Sequence, residues 1–184
     1  MFRNKLKKLI LIIVIPILFT LSNPLFASNI TGTNPGQKAP EFTLQGYNSI
    51  TPNKSEWSLN DYNNKWIVLY FYPKDMTSGC TIEAKGFQRL NTQFRNLNAS
   101  ILGISNDSKS SHKDFCSSKG LDFTLLSDKD GRISNLYDSW RSPFSNRNTY
   151  LIDPEGRIAF KWTGVKPTSH PKDVLEKLIE IIDT

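Results

Sequence analysis

Residues 66–71, WIVLYF, form an unbroken run of aliphatic and aromatic side chains, the pattern of a strand covered on both faces. Pro73 punctuates the run. From Cys80 onward, Ala84, Phe87, Leu90, Phe94 and Leu97 recur at helical spacing, so the spacing predicts a helix to about Leu97 whose apolar stripe faces the sheet. Thr77 and Ser78 are candidate caps. Cys80 therefore opens a helix, where unpaired backbone N–H groups and the positive end of the helix dipole favour the thiolate over the thiol. The thiolate is the nucleophile. Position alone also admits a plainer account, in which Cys80 is a small buried hydrophobe.

The rest of the chain reads as one α/β domain. A short strand is expected near Phe42 to Gln45, followed by a polar Asn/Ser-rich turn region. Ser100 to Ser105 is a second buried strand, and Ser110 or Ser111 caps a helix that runs to Lys119, with Gly120 as its left-handed terminus. Thr124 to Leu126 is extended and Ile133 to Tyr137 a short helix. Thr149 to Ile152 and Ile158 to Trp162 flank the turn Asp153-Pro154-Glu155-Gly156 as a hairpin. A last helix begins near Pro171, with Val174, Leu175, Leu178, Ile181 and Ile182 on its apolar face. Strands alternating with helices before an antiparallel hairpin fit a layered mixed sheet. Periodicity does not choose among such topologies.

Residues 1–27 read as a secretory signal and residues 28–184 as the domain. Arg3, Lys5, Lys7 and Lys8 precede the apolar run Leu9 to Leu21, and Leu25-Phe26-Ala27 offers a cleavage point before Ser28. Leu25 is bulky for that site, so an uncleaved anchor is the alternative. The apolar run is shorter than the ~20 residues of a spanning helix. The leader holds four of the 23 Lys+Arg and none of the 17 Asp+Glu, so it accounts for most of the formal +6 charge. What remains is nearly balanced, which argues against a nucleic-acid partner. The chain is expected to be exported and extracytoplasmic, periplasmic in a Gram-negative cell, and to touch a membrane only through this segment.

Two cysteines in an exported chain also admit a static disulfide, which on the chain-entropy account would stabilise the fold by roughly 4 kcal/mol. Pro73, Thr77 and Cys80 stand as Pro-x-x-x-Thr-x-x-Cys, which resembles the active-site signature of the peroxiredoxins. APEFTL at 39–44, VLYFYPKD through the first buried strand, GISNDSKSSHKDF at 103–115, FTLLSD at 123–128 and RNTYLIDPEGRI at 147–158 are similar to the peroxiredoxin Q (bacterioferritin comigratory protein) subfamily. The resemblance covers roughly residues 36–184. It implies a thioredoxin-like three-layer sandwich, with a central mixed sheet flanked by helices, and a thiol-dependent peroxidase acting on hydrogen peroxide or alkyl hydroperoxides.

The same resemblance assigns roles. Cys80 is peroxidatic and becomes a sulfenic acid. Arg147 favours its thiolate and binds a peroxide oxygen, Thr77 and the Cys80 N–H hydrogen-bond the peroxide, and Pro73 shields the sulfur. Glu83 either orients Arg147 or is an ordinary first-turn acid. Cys116 resolves the sulfenic acid as an intramolecular disulfide, because the alternative position five residues after Cys80 is Lys85; the plainer account makes Cys116 a buried apolar residue. A thioredoxin-like protein is the implied reductant, and a monomer is expected. Ser78 replaces the usual proline before Gly79, and the loop from Trp140 to Arg147 is short. His112 and His170 read as polar helix-start residues; neither a metal site nor a cofactor is expected. Two other functions stay open: a thiol–disulfide oxidoreductase, although Cys80 is followed by Thr81, Ile82 and Glu83 rather than a second cysteine at that spacing, and a non-catalytic exported binding domain.

Overall fold

The computed structural model describes residues 32–184. The expected leader, residues 1–27, lies outside them. Among the described residues no helix is long and apolar enough to cross a membrane. The chain runs β1 (Thr43–Tyr47), β2 (Glu56–Ser58), a 3₁₀ turn (Leu59–Tyr62), β3 (Trp66–Phe71), α1 (Ser78–Asn96), β4 (Ala99–Ser105), α2 (Lys109–Lys119), β5 (Thr124–Ser127), α3 (Arg132–Leu136), β6 (Trp140–Arg141), β7 (Phe144–Ser145), β8 (Thr149–Ile152), β9 (Ile158–Trp162) and α4 (His170–Ile182). Seven strands form one sheet in the order β2-β1-β5-β4-β3-β8-β9. β3, β4 and β5 are parallel neighbours, and the outer pairings are antiparallel. The fold is the thioredoxin-like mixed sheet that the resemblance implies.

Strand β3 explains the layering. Its alternate residues Val68 and Tyr70 join one core with Cys80, Phe87, Cys116 and Val174, from α1, α2 and α4. Ile67, Leu69 and Phe71 point the other way, into a second core with Trp57, Ile133, Tyr137 and Tyr150. A strand buried on both sides needs no polar alternation, and the sequence shows none. One consequence bears on the chemistry: both cysteines belong to the same core, under α1 and α2. Tyr70 stacks on Tyr72 there, its centroid 5.3 Å away, and packs so closely over Gly103 that a Cβ at 103 would sit 2.7 Å from its ring.

Several expectations are corrected. The polar stretch after β1 contains β2 and the 3₁₀ turn, three and four residues long, too short to show a period around their buried Trp57 and Leu59. Ser108, not Ser110 or Ser111, caps α2, accepting the Ser111 N–H at 3.2 Å; Gly120 is left-handed as expected. Residues 140–145 hold the small β6–β7 hairpin around a cis Ser142–Pro143 bond. His170 opens α4 and His112 lies in the first turn of α2, as expected, yet neither faces water. His112 is fully buried and His170 is 1% exposed, and each owes this to a long-range polar partner that helical spacing does not reveal.

His170 starts α4 under Trp162 and Phe87, and its Nε2 is 2.8 Å from Thr149 Oγ1. Burial lowers its pKa to about 4, against a smaller upward pull from Asp173. In the unfolded chain the ring protonates below 6.5. Between these values the unfolded state binds the extra proton, so the contribution is complete above 6.5 and is lost as pH falls to about 4, ~3 kcal/mol in all. Glu83, raised to about 7, acts in the opposite direction over much of that window. The expected result is therefore a difference: in urea titrations, the stability advantage of wild type over His170→Asn shrinks by roughly 2–3 kcal/mol between about pH 7 and about pH 4. An advantage independent of pH would show that His170 is not buried neutral.

Candidate active site

The site is assembled where β3, α1 and the entry to β8 meet. Thr77 is the N-cap of α1 by its extended backbone, so Cys80 is the third helical residue. Its N–H precedes the first helical bond, which runs from the Thr81 N–H to the Thr77 carbonyl at 2.9 Å. The expected side-chain cap is absent: the Thr77 hydroxyl donates to the Lys74 carbonyl at 3.0 Å, closing the loop and leaving lone pairs free to accept from a peroxide O–H. Met76, just before it, is held at φ 61°, a left-handed conformation unusual for a side chain of this size. Pro73 is half-buried at the end of β3.

Arg147 reaches the sulfur from the other side. Its Nη2 donates to Cys80 Sγ at 3.2 Å, and its Nη1 donates to Glu83 Oε2 at 2.7 Å. Glu83 thus lies within hydrogen-bond reach of the guanidinium, on the side away from the sulfur contact. Burial pushes the Glu83 carboxyl up to about 7, and the charge and hydrogen bond of Arg147 pull it partly back. Burial lowers the Arg147 pKa, but Cys80 and then Glu83 raise it further, so the guanidinium stays charged. The two carry unequal costs because Glu83 is sealed in the core, whereas the Arg147 side chain is 19% exposed and touches both the Glu83 carboxyl and the Cys80 sulfur. Beside the guanidinium, an open depression lined by Pro73, Ser145, Asn146, Asn148 and Val165 leads to solvent.

Two positioning residues are silent in the sequence. Asn148 pins the backbone next to Arg147: its side-chain amide donates to Ser139 Oγ at 3.0 Å and to the Asp138 carbonyl at 3.2 Å, and its Oδ1 accepts the Gly164 N–H at 3.1 Å. Gly79 gives the guanidinium room, since a Cβ there would lie 2.9 Å from Nη2 of Arg147. Only the side chain's absence at a helix start hints at that.

Cys116 lies in α2, buried and free like Cys80. Burial, and then the charge of Asp75, push its thiol up to about 12. Besides burial, Glu83, Cys116, Asp75 and Cys80 in turn raise the pKa of the Tyr70 hydroxyl, so both thiols bear on one buried phenol. Among the described residues no cluster of His, Cys, Asp and Glu could hold a metal ion.

A guanidinium-bound cysteine at a helix start, on this sheet, defines a thiol peroxidase. Residues 35–161 match the AhpC/TSA family, and the chain belongs to it as a peroxiredoxin. Its branch is that of peroxiredoxin Q and Bcp. It is 40% identical over 151 residues to Peroxiredoxin Bcp of Bacillus subtilis, spanning 78% of this chain and 93% of that protein. A mutant structure of Xylella fastidiosa PrxQ superposes with a TM-score of 0.71 at 35% identity, covering 84% of this chain and 98% of the other. Xanthomonas campestris Bacterioferritin Comigratory Protein, whose alkyl peroxide reduction activity is the subject of its structure, gives 0.70 at 32% identity, covering 76% and 90%. Peroxiredoxin Q of that bacterium has been solved with either of two cysteines changed to serine, and their separation along that chain equals that of Cys80 and Cys116 here.

Gly79→Ala should leave stability unchanged or slightly raised, because it sits in a helix and meets only the end of a flexible side chain. It should nevertheless slow the first reaction with peroxide by roughly 10-fold or more, since a displacement of about 1 Å at a reacting centre can cost on the order of 10²-fold. Stopped-flow oxidation beside urea denaturation separates the two effects. An unchanged oxidation rate would mean that Gly79 does not control where the guanidinium sits.

Proposed function

We propose that Cys80 is the peroxidatic residue of this thiol peroxidase and Cys116 its resolving thiol, linked to it in an intramolecular disulfide in each cycle. The observation that carries the first half is the contact of Arg147 with Cys80 Sγ at 3.2 Å, fixed by Glu83 at 2.7 Å. The Cys80 thiolate attacks one oxygen of hydrogen peroxide or an alkyl hydroperoxide in line with the O–O bond. The other oxygen leaves and takes a proton as water or alcohol, and Cys80 becomes a sulfenic acid. Arg147, the Cys80 N–H and the Thr77 hydroxyl face the charge that develops, and Pro73 limits water at the sulfur.

Resolution calls for movement. At about 12, Cys116 is a silent thiol where it stands, and a disulfide needs its Cα atoms within ~7 Å. Unless the two Cα atoms already lie that close, the first turn of α1, the segment around Cys116, or both must unwind, which also relieves the burial that keeps Cys116 protonated. Disulfide exchange with protein cysteines is disfavoured, because Glu83, which orients Arg147, occupies the position of the second cysteine of such a motif. The cycle closes with a thioredoxin-like protein reducing the disulfide. The enzyme acts outside the cytoplasm as a monomer, tied to a membrane only if residues 1–27 are retained.

Cys116→Ser should reduce one equivalent of peroxide, then stall as a sulfenic acid open to overoxidation, with its fold intact. Mass spectrometry of oxidised wild type should find a Cys80–Cys116 link that a thiol reductant removes. Normal multiple turnover by Cys116→Ser would exclude the resolving role; a loss of several kcal/mol on reducing wild type would instead mark a structural staple.

A further inference from the structure

One polar cluster near Cys116 is unused by the chemistry above. Asp75 lies in the loop between β3 and α1, with its side chain 2% exposed. Its Oδ1 accepts the Tyr72 hydroxyl at 2.8 Å; its Oδ2 accepts Ser111 Oγ at 2.7 Å and is 2.9 Å from Nδ1 of His112. A carboxylate accepts, so the Nδ1 of His112 carries the hydrogen and, in the neutral ring, Nε2 holds the lone pair. That Nε2 is buried and has no hydrogen-bond partner among the described residues. His112 precedes Cys116 by one turn of α2, which puts both on one face of the helix, and both are buried.

An acid, an imidazole oriented by it with a bare nitrogen, and a buried thiol one turn further along the same helix face are the groups from which a base-activated nucleophile is built. We propose that His112, oriented by Asp75, is the base that takes the Cys116 thiol proton when the Cys80 sulfenic acid is resolved. This rests on Cys116 being the resolving thiol. The S–S bond forms as the S–O bond of the sulfenic acid breaks. The Cys116 proton passes to Nε2 and from there to the departing hydroxide, which leaves as water. No further oxidant is needed, because Cys80 already carries the oxidising equivalent of the peroxide.

The cluster accounts for how so unreactive a thiol can attack. The charge of Asp75 alone opposes a Cys116 thiolate, yet through His112 the same charge stabilises the imidazolium that forms as the proton leaves. Asp75 also fixes the dyad in place. Its N–H donates to Asp107 Oδ2 at 2.8 Å, which joins the loop before α1 to the loop before α2. The dyad is thus anchored to the loops that precede α1 and α2.

His112→Asn tests this, because the asparagine amide can replace Nδ1 against Asp75 and nothing replaces Nε2. Reduced protein is mixed with one equivalent of hydrogen peroxide, quenched over time and examined by mass spectrometry. The expected result is accumulated Cys80 sulfenic acid and disulfide formation slowed by roughly 10²-fold or more. Disulfide formation as fast as in wild type, or faster as the loss of a mere latch would make it, overturns the proposal while leaving Cys116 as the resolving thiol. A wild type that never forms the Cys80–Cys116 link overturns both. Should the variant not fold, nitrogen NMR of wild type at neutral pH decides: hydrogen on Nδ1 with a bare Nε2 is expected, and hydrogen on Nε2 overturns the proposal.

Discussion

The Arg147 guanidinium, shared between Cys80 Sγ and Glu83 Oε2, is the contact on which the rest of the site depends. A planar fork with two bonding directions is needed to hold an acid and a sulfur at once, and a lysine has no such geometry. The fold supplies the three partners from distant places. α1 carries the sulfur and the acid one turn apart on its buried face, and the entry to β8 carries the arginine, held by Asn148. β3 lies between β4 and β8 in the sheet, so the loop leaving β3 reaches both.

A sealed carboxylate is costly unless paired, which is why Glu83 is raised to about 7 even beside Arg147. The pair spends stability on geometry. The same logic governs the second thiol: Cys116 is buried and raised to about 12, inert until the chain moves. The two cysteines share one hydrophobic core yet differ in their partners. Cys80 has a cation and a helix start, whereas Cys116 has an anion nearby. In the proposed cycle, that difference separates the thiol that meets peroxide first from the one that waits.

Much of this was legible in the sequence because it rests on apolar periodicity and local motifs. β3, α1, β4, the β8–β9 hairpin and α4 each show a run or a stripe that only one kind of element buries. Cys80 and Arg147 were singled out through the family resemblance and Glu83 with two readings left open, and the distances now join the three residues. The buried polar groups were not legible. Asp75, His112, His170 and Asn148 are sealed by partners on other elements of the chain, and a polar side chain near a helix start looks the same in sequence whether it faces water or a carboxylate. β2 and the β6–β7 pair escaped because two or three residues cannot establish a period.

The central claim is that the guanidinium makes Cys80 reactive. It is tested most directly by the second-order rate at which reduced Arg147→Ala reacts with hydrogen peroxide, followed by stopped flow under conditions where wild type and variant are equally folded. Removing one preorganised donor from developing charge costs on the order of 10²–10³ in rate, and a loss of that size is expected here. A variant that reacts as fast as wild type would contradict the account, and would place the source of Cys80 reactivity in the helix start alone.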